Sequence, residues 1–308
     1  MCDTCVVAQT AVGRPLTNTQ RRAVNALRPG DYVTNATYRR DPTRTAQLRG
    51  RYAADMRRRF VVVRGAVSET VGRNNALRLN AAARAFEFTN DPGRIAEFMD
   101  WLRQEINSSV LEIAVSDGRP PANGWQKVYV REAYGRGVEA ANALMKQAGI
   151  TIPTTTLGGD VPIGSIFRLP IHQDTLELLY TRQFEDLRGV TREMSTQMSR
   201  VLADGLATGK NNRAIAKALV ERVDKIGIVR SEMIVRTEII RTHAEATLNR
   251  LEEMGATMVT PLVEFGAAAD ACPICKELEG KVYTIAEARG IIPVHVNCRC
   301  VWIPVLRK

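Results

Sequence analysis

The feature that most constrains this chain is a group of cysteines with one histidine near its C-terminal end. The pattern is Cys272-x-x-Cys275, nineteen residues, and then His295-x-x-Cys298-x-Cys300, so that four of the six cysteines and one of the three histidines fall within 29 residues. A tetrahedral zinc site needs four thiolate or imidazole ligands, and a Cys-x-x-Cys turn presents two thiolates to one ion. The spacing predicts a structural zinc site.

Five donors compete for the four places of this predicted site. We select Cys272, Cys275, His295 and Cys298 as the ligands and keep Cys300 as an alternate, because it leads directly into a β-prone run. Two other interpretations stay open, a disulfide formed after cell lysis and a set of buried free thiols. The N-terminal residues lack the basic region of a signal peptide, so we expect a reducing cytosol, which argues against the disulfide.

An enzymatic use of these residues is not expected. A catalytic zinc keeps an open coordination position beside a general base, and only Glu264 and Asp270 lie nearby in the sequence. His295 and Cys298 are three residues apart on an irregular segment, a spacing that rarely orients an imidazole and a thiol as base and nucleophile. We therefore predict no catalytic residue.

The rest of the chain predicts a helical protein without a membrane span. The 308 residues are 45% apolar and 25% charged, as in ordinary globular proteins, and contain no run of eighteen apolar residues. The length predicts two or three domains. We expect a mainly α, multi-domain fold with no large sheet and a small C-terminal α+β zinc-binding module.

Three helices are predicted before residue 150. The pairs Asp41-Pro42 and Asp91-Pro92 are typical of helix starts, and the third helix is expected to stop at Gly149. A short strand is predicted at 86–88. The apolar positions of the three helices recur at helical spacing: Leu48, Tyr52, Met56, Phe60, Val63, Val67 and Val71; Ile95, Phe98, Leu102 and Ile106; Val130, Tyr134, Val138, Ala141 and Leu144.

Residues 150–171 are rich in Thr, Pro and Gly and predict a domain junction. Asp174 and Glu177 resemble a capping box at the start of a following helix. Separate helices are predicted around Met198 and Leu219, and a long one from about Ile228 to Met254. Short β-prone runs then alternate with the cysteines. The resulting division is an extended arm at 1–40, an Arg-rich helical domain at 41–150, a linker at 151–171, a helical domain at 172–255 and a metal-binding module at 256–308.

The positive charge is concentrated at the N-terminal side. Residues 1–80 hold fifteen Arg, no Lys and five acidic residues, which accounts for the entire net charge of +10. Arginine binds phosphate as a bidentate fork, so this segment predicts contact with DNA or another polyanion, and the alternatives are acidic protein surfaces or a solvated face. The predicted contact residues are Arg39, Arg40, Arg57, Arg58, Arg59 and Arg64.

The long final helix carries a second charged group, Arg236, Glu238 and Arg241. Glu238 stands three residues before Arg241, and Glu232 stands four before Arg236, so ion pairs within the helix are the favoured interpretation. The alternative is a buried structural network that ties this helix to the cysteine module.

Four short motifs follow one another in the last third of the chain: RTE at 236–238, ADACPIC at 269–275, LEGKVY at 278–283 and PVHVNCRC at 293–300. Together they resemble the C-terminal domain of phage Mu protein F-like minor head proteins, and the resemblance extends over about 125–308. One departure is the single Pro293 beside Val294 and Val296, where the family often shows a second Pro near the His. This departure leaves the predicted ligands intact.

The resemblance implies a minor head protein of a tailed bacteriophage, present in the virion and assembled in the bacterial cytoplasm. It implies action in head morphogenesis and in DNA packaging or ejection near the portal vertex. The expected partners are the portal protein, the major capsid protein and packaged double-stranded DNA, without a membrane or an enzymatic activity. An alternative is a zinc-containing DNA-binding or nuclease-like protein, although few aromatic residues and little net charge lie in the cysteine module.

Overall fold

The chain folds mainly into helices and ends in a small antiparallel sheet, as seen in a computed structural model that describes residues 32–33, 41–74, 77, 92–112, 124–147, 166–254 and 262–307. The predicted fold class is thereby confirmed in its architecture. None of the helices in these ranges is both long enough and apolar enough to cross a membrane.

Eight α-helices occur in these ranges: α1 (Ala46–Val67), α2 (Pro92–Ile106), α3 (Gln126–Gln147), α4 (Pro170–Ala207), α5 (Asn212–Arg222), α6 (Val229–Met254), α7 (Pro273–Leu278) and α8 (Ile285–Ala288). Turns of π-helix continue α1, α2 and α5 over Ser68–Arg73, Asn107–Leu111 and Val223–Ile228. The strands are β1 (Tyr32–Val33), β2 (Leu262–Gly266), β3 (Val282–Thr284) and β4 (Val301–Arg307).

The apolar stripe predicted for α1 is confirmed, because all seven residues from Leu48 to Val71 are at most 1% exposed. The predicted start at Asp41-Pro42 is wrong, since α1 begins at Ala46. The Asp41 carboxylate accepts hydrogen bonds from the Thr43 hydroxyl and from Arg49, so it closes a local turn and does not cap the helix.

Helix α4 replaces two predicted helices with one element of 38 residues. It begins at Pro170, where a proline is tolerated because the first helical N–H groups have no partner. The predicted capping box is therefore wrong, because Asp174 and Glu177 both lie inside the helix. Of the predicted junction at 150–171, only residues from 166 onward are described.

The remaining helix predictions agree with the structure where it describes them. Helix α2 begins at Pro92, α6 spans almost the predicted range, and Asn211 caps α5 by accepting a hydrogen bond from the Ala214 N–H. In α3 the buried face includes Met145, whereas Leu144 is half-buried. The strand predicted at 86–88 and the stop at Gly149 lie outside the described residues.

The sheet has the order β1-β4-β2-β3, and its described pairs are antiparallel. Strand β2 lies between the other two strands of the cysteine region, with Phe265 opposite Trp302 and Val263 opposite Tyr283. The three β-prone runs after residue 255 thus form the predicted strands. Strand β1, from the predicted arm, adds to the edge of β4 at Leu306 and Arg307, a pairing that the sequence did not predict.

The chain divides into two compact units, each built from stretches that are distant in sequence. Unit 1 comprises Met1–Gly50, Gln126–Tyr180 and Arg236–Lys308, and unit 2 comprises Arg51–Trp125 and Thr181–Val235. The five successive segments inferred from the sequence stay a prediction. Unit 1 contains the sheet and all the described cysteines.

A buried polar chain joins three helices inside unit 1. The Tyr134 hydroxyl lies 2.7 Å from His172 Nδ1, and the other ring nitrogen of His172 lies 3.2 Å from Glu253. Asn249 donates to both the Tyr134 hydroxyl and the Thr175 hydroxyl at 2.7 Å. Because buried polar groups are costly without partners, this chain fixes the relative positions of α3, α4 and α6 within the unit.

Candidate metal centre

Two of the five donors are positioned by the start of α7. Cys272 precedes this helix with an extended backbone, Pro273 occupies its first position, and the Lys276 N–H donates to the Cys272 carbonyl. Cys275 therefore lies one helical turn after Cys272, so the two side chains can share one side. Cys275 is 1% exposed and belongs to the apolar core of unit 1.

The other three donors follow one another between α8 and β4. The Cys298 N–H donates to the His295 carbonyl, and Asn297 between them has a φ of 61°, a left-handed conformation that asparagine tolerates better than most residues. Cys300 directly precedes β4. Cys298 and Cys300 are 1% and 2% exposed, so both thiols lie in the core.

The donor atoms form two triads that share Cys275. Cys272, Cys275 and His295 make one triad, and Cys275, Cys298 and Cys300 make the other, with all ligand atoms of a triad within 4.8 Å of one another. The fold therefore gathers all five predicted donors, Cys300 included. The four cysteines of the described part are free thiols, as a metal site requires.

The distances within this cluster fit a tetrahedral zinc ion. With zinc–sulfur bonds of about 2.3 Å and zinc–nitrogen bonds of about 2.0 Å, neighbouring ligand atoms lie roughly 3.5 to 3.8 Å apart. His295 Nε2 lies 3.3 Å from Cys272 Sγ and 3.2 Å from Cys275 Sγ. Cys275 Sγ and Cys298 Sγ are 4.0 Å apart. These three distances fit ligation of a metal ion of this size, and the four proposed ligands divide between the two triads, which Cys275 joins.

The orientation of the histidine ring supports the same conclusion. His295 Nδ1 lies 2.7 Å from the Val296 carbonyl oxygen, and a carbonyl can only accept, so the Nδ1–H donates there. In the neutral ring this leaves Nε2 without a proton, facing the sulfurs of Cys272 and Cys275. Metal-bound histidines commonly show this arrangement, in which the outer N–H is held by a carbonyl or carboxylate.

The three buried sulfurs concentrate negative charge in a small volume. Hydrogen bonding with Cys298 and Cys300, together with burial, raises the pKa of Cys275. Hydrogen bonds from Cys275 and Cys300 lower the pKa of Cys298, which also accepts backbone N–H donors from Cys300 and Val294. The three sulfurs thus interact strongly with one another, and a bound cation is the usual means by which proteins hold several thiolates together.

Helix α6 supports the cluster through contacts that sequence spacing did not reveal. Arg289 pairs with Glu245 and Glu252 of α6, and the Gly290 N–H donates to Glu245. The Asn297 N–H, inside the His295–Cys298 turn, donates to the Thr237 hydroxyl. These partners lie between 37 and 60 residues apart, so a pattern of local spacing could not have found them.

The described contacts include one pair of the predicted network on α6. Glu238 is buried and accepts from Arg241 at 3.1 Å, as the spacing predicted. The Glu232 carboxylate accepts from Arg57 of α1, a partner 175 residues away. Arg236 is exposed. Among the described contacts, the link from α6 to the cysteine module runs through Thr237, Glu245 and Glu252.

The predicted polyanion contacts that the structure describes all have acidic partners within unit 2. The pairs are Arg57 with Glu232, Arg58 with Asp55, Arg59 with Glu112 and Arg64 with Asp224. Arg59 also donates to the Ser109 carbonyl and lies over the Trp125 ring, 4.1 Å from its centre. Arg39 and Arg40 lie outside the described residues. Part of the N-terminal charge is therefore compensated locally, and contact with DNA stays a prediction.

Comparison with known proteins finds a family match over the region that contains the cluster. Residues 196–303 match the phage Mu protein F like family. The resemblance inferred from the motifs is thus confirmed over this region, which runs from the second half of α4 to the first residues of β4 and includes all five donors. No curated protein and no solved structure matches the chain.

Proposed function

We propose that this protein is a minor head protein of a tailed bacteriophage. The observation that carries the proposal is the coincidence of the family match over 196–303 with the complete donor cluster and with α6, the helix that supports it. In this proposal the protein is part of the virion, acts in head morphogenesis and in DNA packaging or ejection near the portal vertex, and is assembled in the host cytoplasm.

The metal in this proposal is a structural zinc ion held by Cys272, Cys275, His295 and Cys298. The ion would supply a crosslink between the start of α7 and the turn before β4. Strands β2 and β3 pair over only three positions, so the link would add support on this side of the sheet. Structural zinc sites contribute directly to folding for the same reason.

A structural role is proposed in preference to catalysis. Three of the donors lie in the core at 1 to 2% exposed, and four ligands complete a tetrahedral site without an open position for substrate. Glu264, a candidate base in the sequence, is 5% exposed, and burial raises its pKa. It lies on β2 opposite Ile303.

Partner proteins are proposed to bind the helical faces. In unit 2, Val61, Val62 and Val229 expose 41%, 56% and 53% of their surfaces. Exposed aliphatic side chains at neighbouring positions favour contact with another protein over contact with a phosphate backbone. The proposed partners are the portal protein and the major capsid protein, with packaged DNA as a further contact of the N-terminal arginines.

The runner-up, a zinc-containing DNA-binding or nuclease-like protein, has less support. Such modules concentrate basic residues on the face that reads the nucleic acid. Here Arg299, beside two of the donors, pairs with Asp270, and Arg289 pairs with two glutamates of α6. These two charges next to the cluster are thus paired within unit 1.

Quantitative mass spectrometry of purified virions and of empty proheads tests the proposal. We expect the protein in both, at low copy relative to the major capsid protein. The double variant Val61→Glu, Val62→Glu should reduce incorporation, and Val63→Ile in the same helix serves as a volume control at a buried position. Absence of the wild-type protein from proheads and virions alike would contradict the proposal.

A further inference from the structure

The cluster contains one donor more than a tetrahedral ion can use. Cys298 and Cys300 both lie beside Cys275, in the same triad and equally buried. We propose that Cys300 is a reserve ligand that takes the fourth coordination position when Cys298 is lost. This inference rests on the proposed metal site and adds to it a second, interchangeable donor.

The local backbone places both sulfurs on one side of the chain. The ligand atoms of Cys298 and Cys300 lie within 4.8 Å of each other. Cys298 and Cys300 are buried in the core, whereas Arg299 between them is partly exposed and pairs with Asp270. Replacement of one sulfur by the other therefore needs a short shift along the chain and no reversal of the segment.

The places of the two cysteines in the chain indicate which of them is the primary ligand. The Cys298 N–H donates to the His295 carbonyl at 3.1 Å, so Cys298 lies in the same turn as His295. Cys300 directly precedes β4. Cys298 is thus held toward the imidazole ligand, and Cys300 toward the sheet. We assign Cys298 as the primary ligand on this basis.

The chemistry of the two positions is the same, because both donors are thiols and the site would keep three sulfurs and one imidazole nitrogen. A change in coordination number or ligand type is therefore not required. The expected cost of the exchange is a modest loss of affinity from a less favourable geometry, in the range that displaced supporting groups produce, roughly 10- to 100-fold.

Cobalt substitution in the full chain tests the inference. The protein is purified under reducing conditions, stripped with a chelator and titrated with Co²⁺, whose sulfur-to-metal charge-transfer absorption grows with the number of bound thiolates. The variants are C298A, C300A and C298A/C300A. We expect C300A to match the wild type in both absorption and affinity. We expect C298A to keep the absorption of three thiolates but to bind roughly 10- to 100-fold more weakly.

The double variant separates the alternatives. It should lose one thiolate's share of the absorption and bind more weakly than C298A. The inference is overturned if C298A already equals the double variant, or if C300A alone loses a thiolate. A wild-type chain without any cobalt spectrum would refute the metal site itself, which is a distinguishable result. Should C298A fail to fold, as judged by circular dichroism, C298S and C298S/C300S permit the same comparison.

Discussion

Unit 1 and unit 2 differ in the kinds of side chain that they bury and pair. Unit 2 buries long apolar stripes such as that of α1, and several of its arginines, Arg57, Arg58, Arg59 and Arg64 among them, form ion pairs at or near the surface. Unit 1 contains the donor cluster, the Tyr134–His172–Glu253 chain and a buried histidine, His243. Both units bury apolar side chains, and unit 1 also buries histidine, glutamate and arginine side chains that must each keep a partner or a charge state.

Loss of the metal should have the largest effect on stability, and it should destabilise unit 1 while leaving unit 2 folded. Cys275→Ala removes the donor common to both triads, so we expect the sheet region of unit 1 to unfold while unit 2 remains helical. Limited proteolysis with mass spectrometry should show cleavage within 262–307 and protection of 181–235. The control is Cys300→Ala, which should leave both regions protected. Equal loss of protection in the two units would contradict the difference drawn here.

Acidification should destabilise unit 1 next most strongly, through His243. Burial lowers the pKa of His243 from 6.5 to about 4, with Asp41 and Arg136 as the nearby charges. Between pH 6.5 and about pH 4, His243 binds a proton in the unfolded state but not in the folded state. The contribution of His243 to the free energy of unfolding therefore falls as the pH is lowered through this window and is constant above it. The full shift corresponds to roughly 3 kcal/mol.

The measurement for this prediction is denaturant unfolding of wild type and His243→Gln between pH 7.5 and 4.5. The variant should lose most of the pH dependence in the window, because the titrating group is gone. Asp41 and Arg136 remain as matched charges in both proteins. An identical pH dependence in the two proteins would show that other groups cause the loss.

Filling the space beside Gly137 should have an intermediate effect on unit 1. An added Cβ there would lie 2.4 Å from the His243 carbonyl oxygen and 2.7 Å from the Ala246 Cβ, so Gly137→Ala forces α3 and α6 apart. We expect a loss of about 1–3 kcal/mol. The matched control in unit 2 is Gly65→Ala in α1, where nothing lies within 4 Å and helix propensity predicts a gain of up to about 1 kcal/mol. In thermal unfolding, a lower Tm for Gly137→Ala and a higher Tm for Gly65→Ala would sharpen the comparison between the units.

The smallest effects should come from the arginines of unit 2. Arg58 is 75% exposed and pairs with Asp55, so Arg58→Ala should change stability by less than about 1 kcal/mol. Arg59 is 25% exposed and has three partners, so Arg59→Ala should cost more. Denaturant unfolding at low and high salt distinguishes them. A salt-dependent DNA affinity that both variants reduce equally would favour genome contact over internal pairing.

Sequence patterns predicted local periodicity well and long-range partners poorly. The stripe from Leu48 to Val71 and the five donors near the C-terminal end follow from spacing alone, because burial and ligation impose it. The start of α1 was missed because the Asp41 carboxylate is used by Thr43 and Arg49. The pairs Arg57–Glu232 and Arg289–Glu245 join residues far apart in sequence, so only the folded chain reveals them.

The interleaving of the two units has a consequence for the order of events during translation. Every residue of unit 2 has been synthesised once the ribosome passes residue 235, whereas unit 1 lacks β4, which pairs with β2, until residue 305 emerges. The apolar faces of α3 and of the first turns of α4 therefore lack their final neighbours in unit 1 while the rest of the chain is synthesised. Nascent chains arrested after residue 235 should resist protease in unit 2 alone, and a holdase chaperone should bind them through the waiting segment of unit 1.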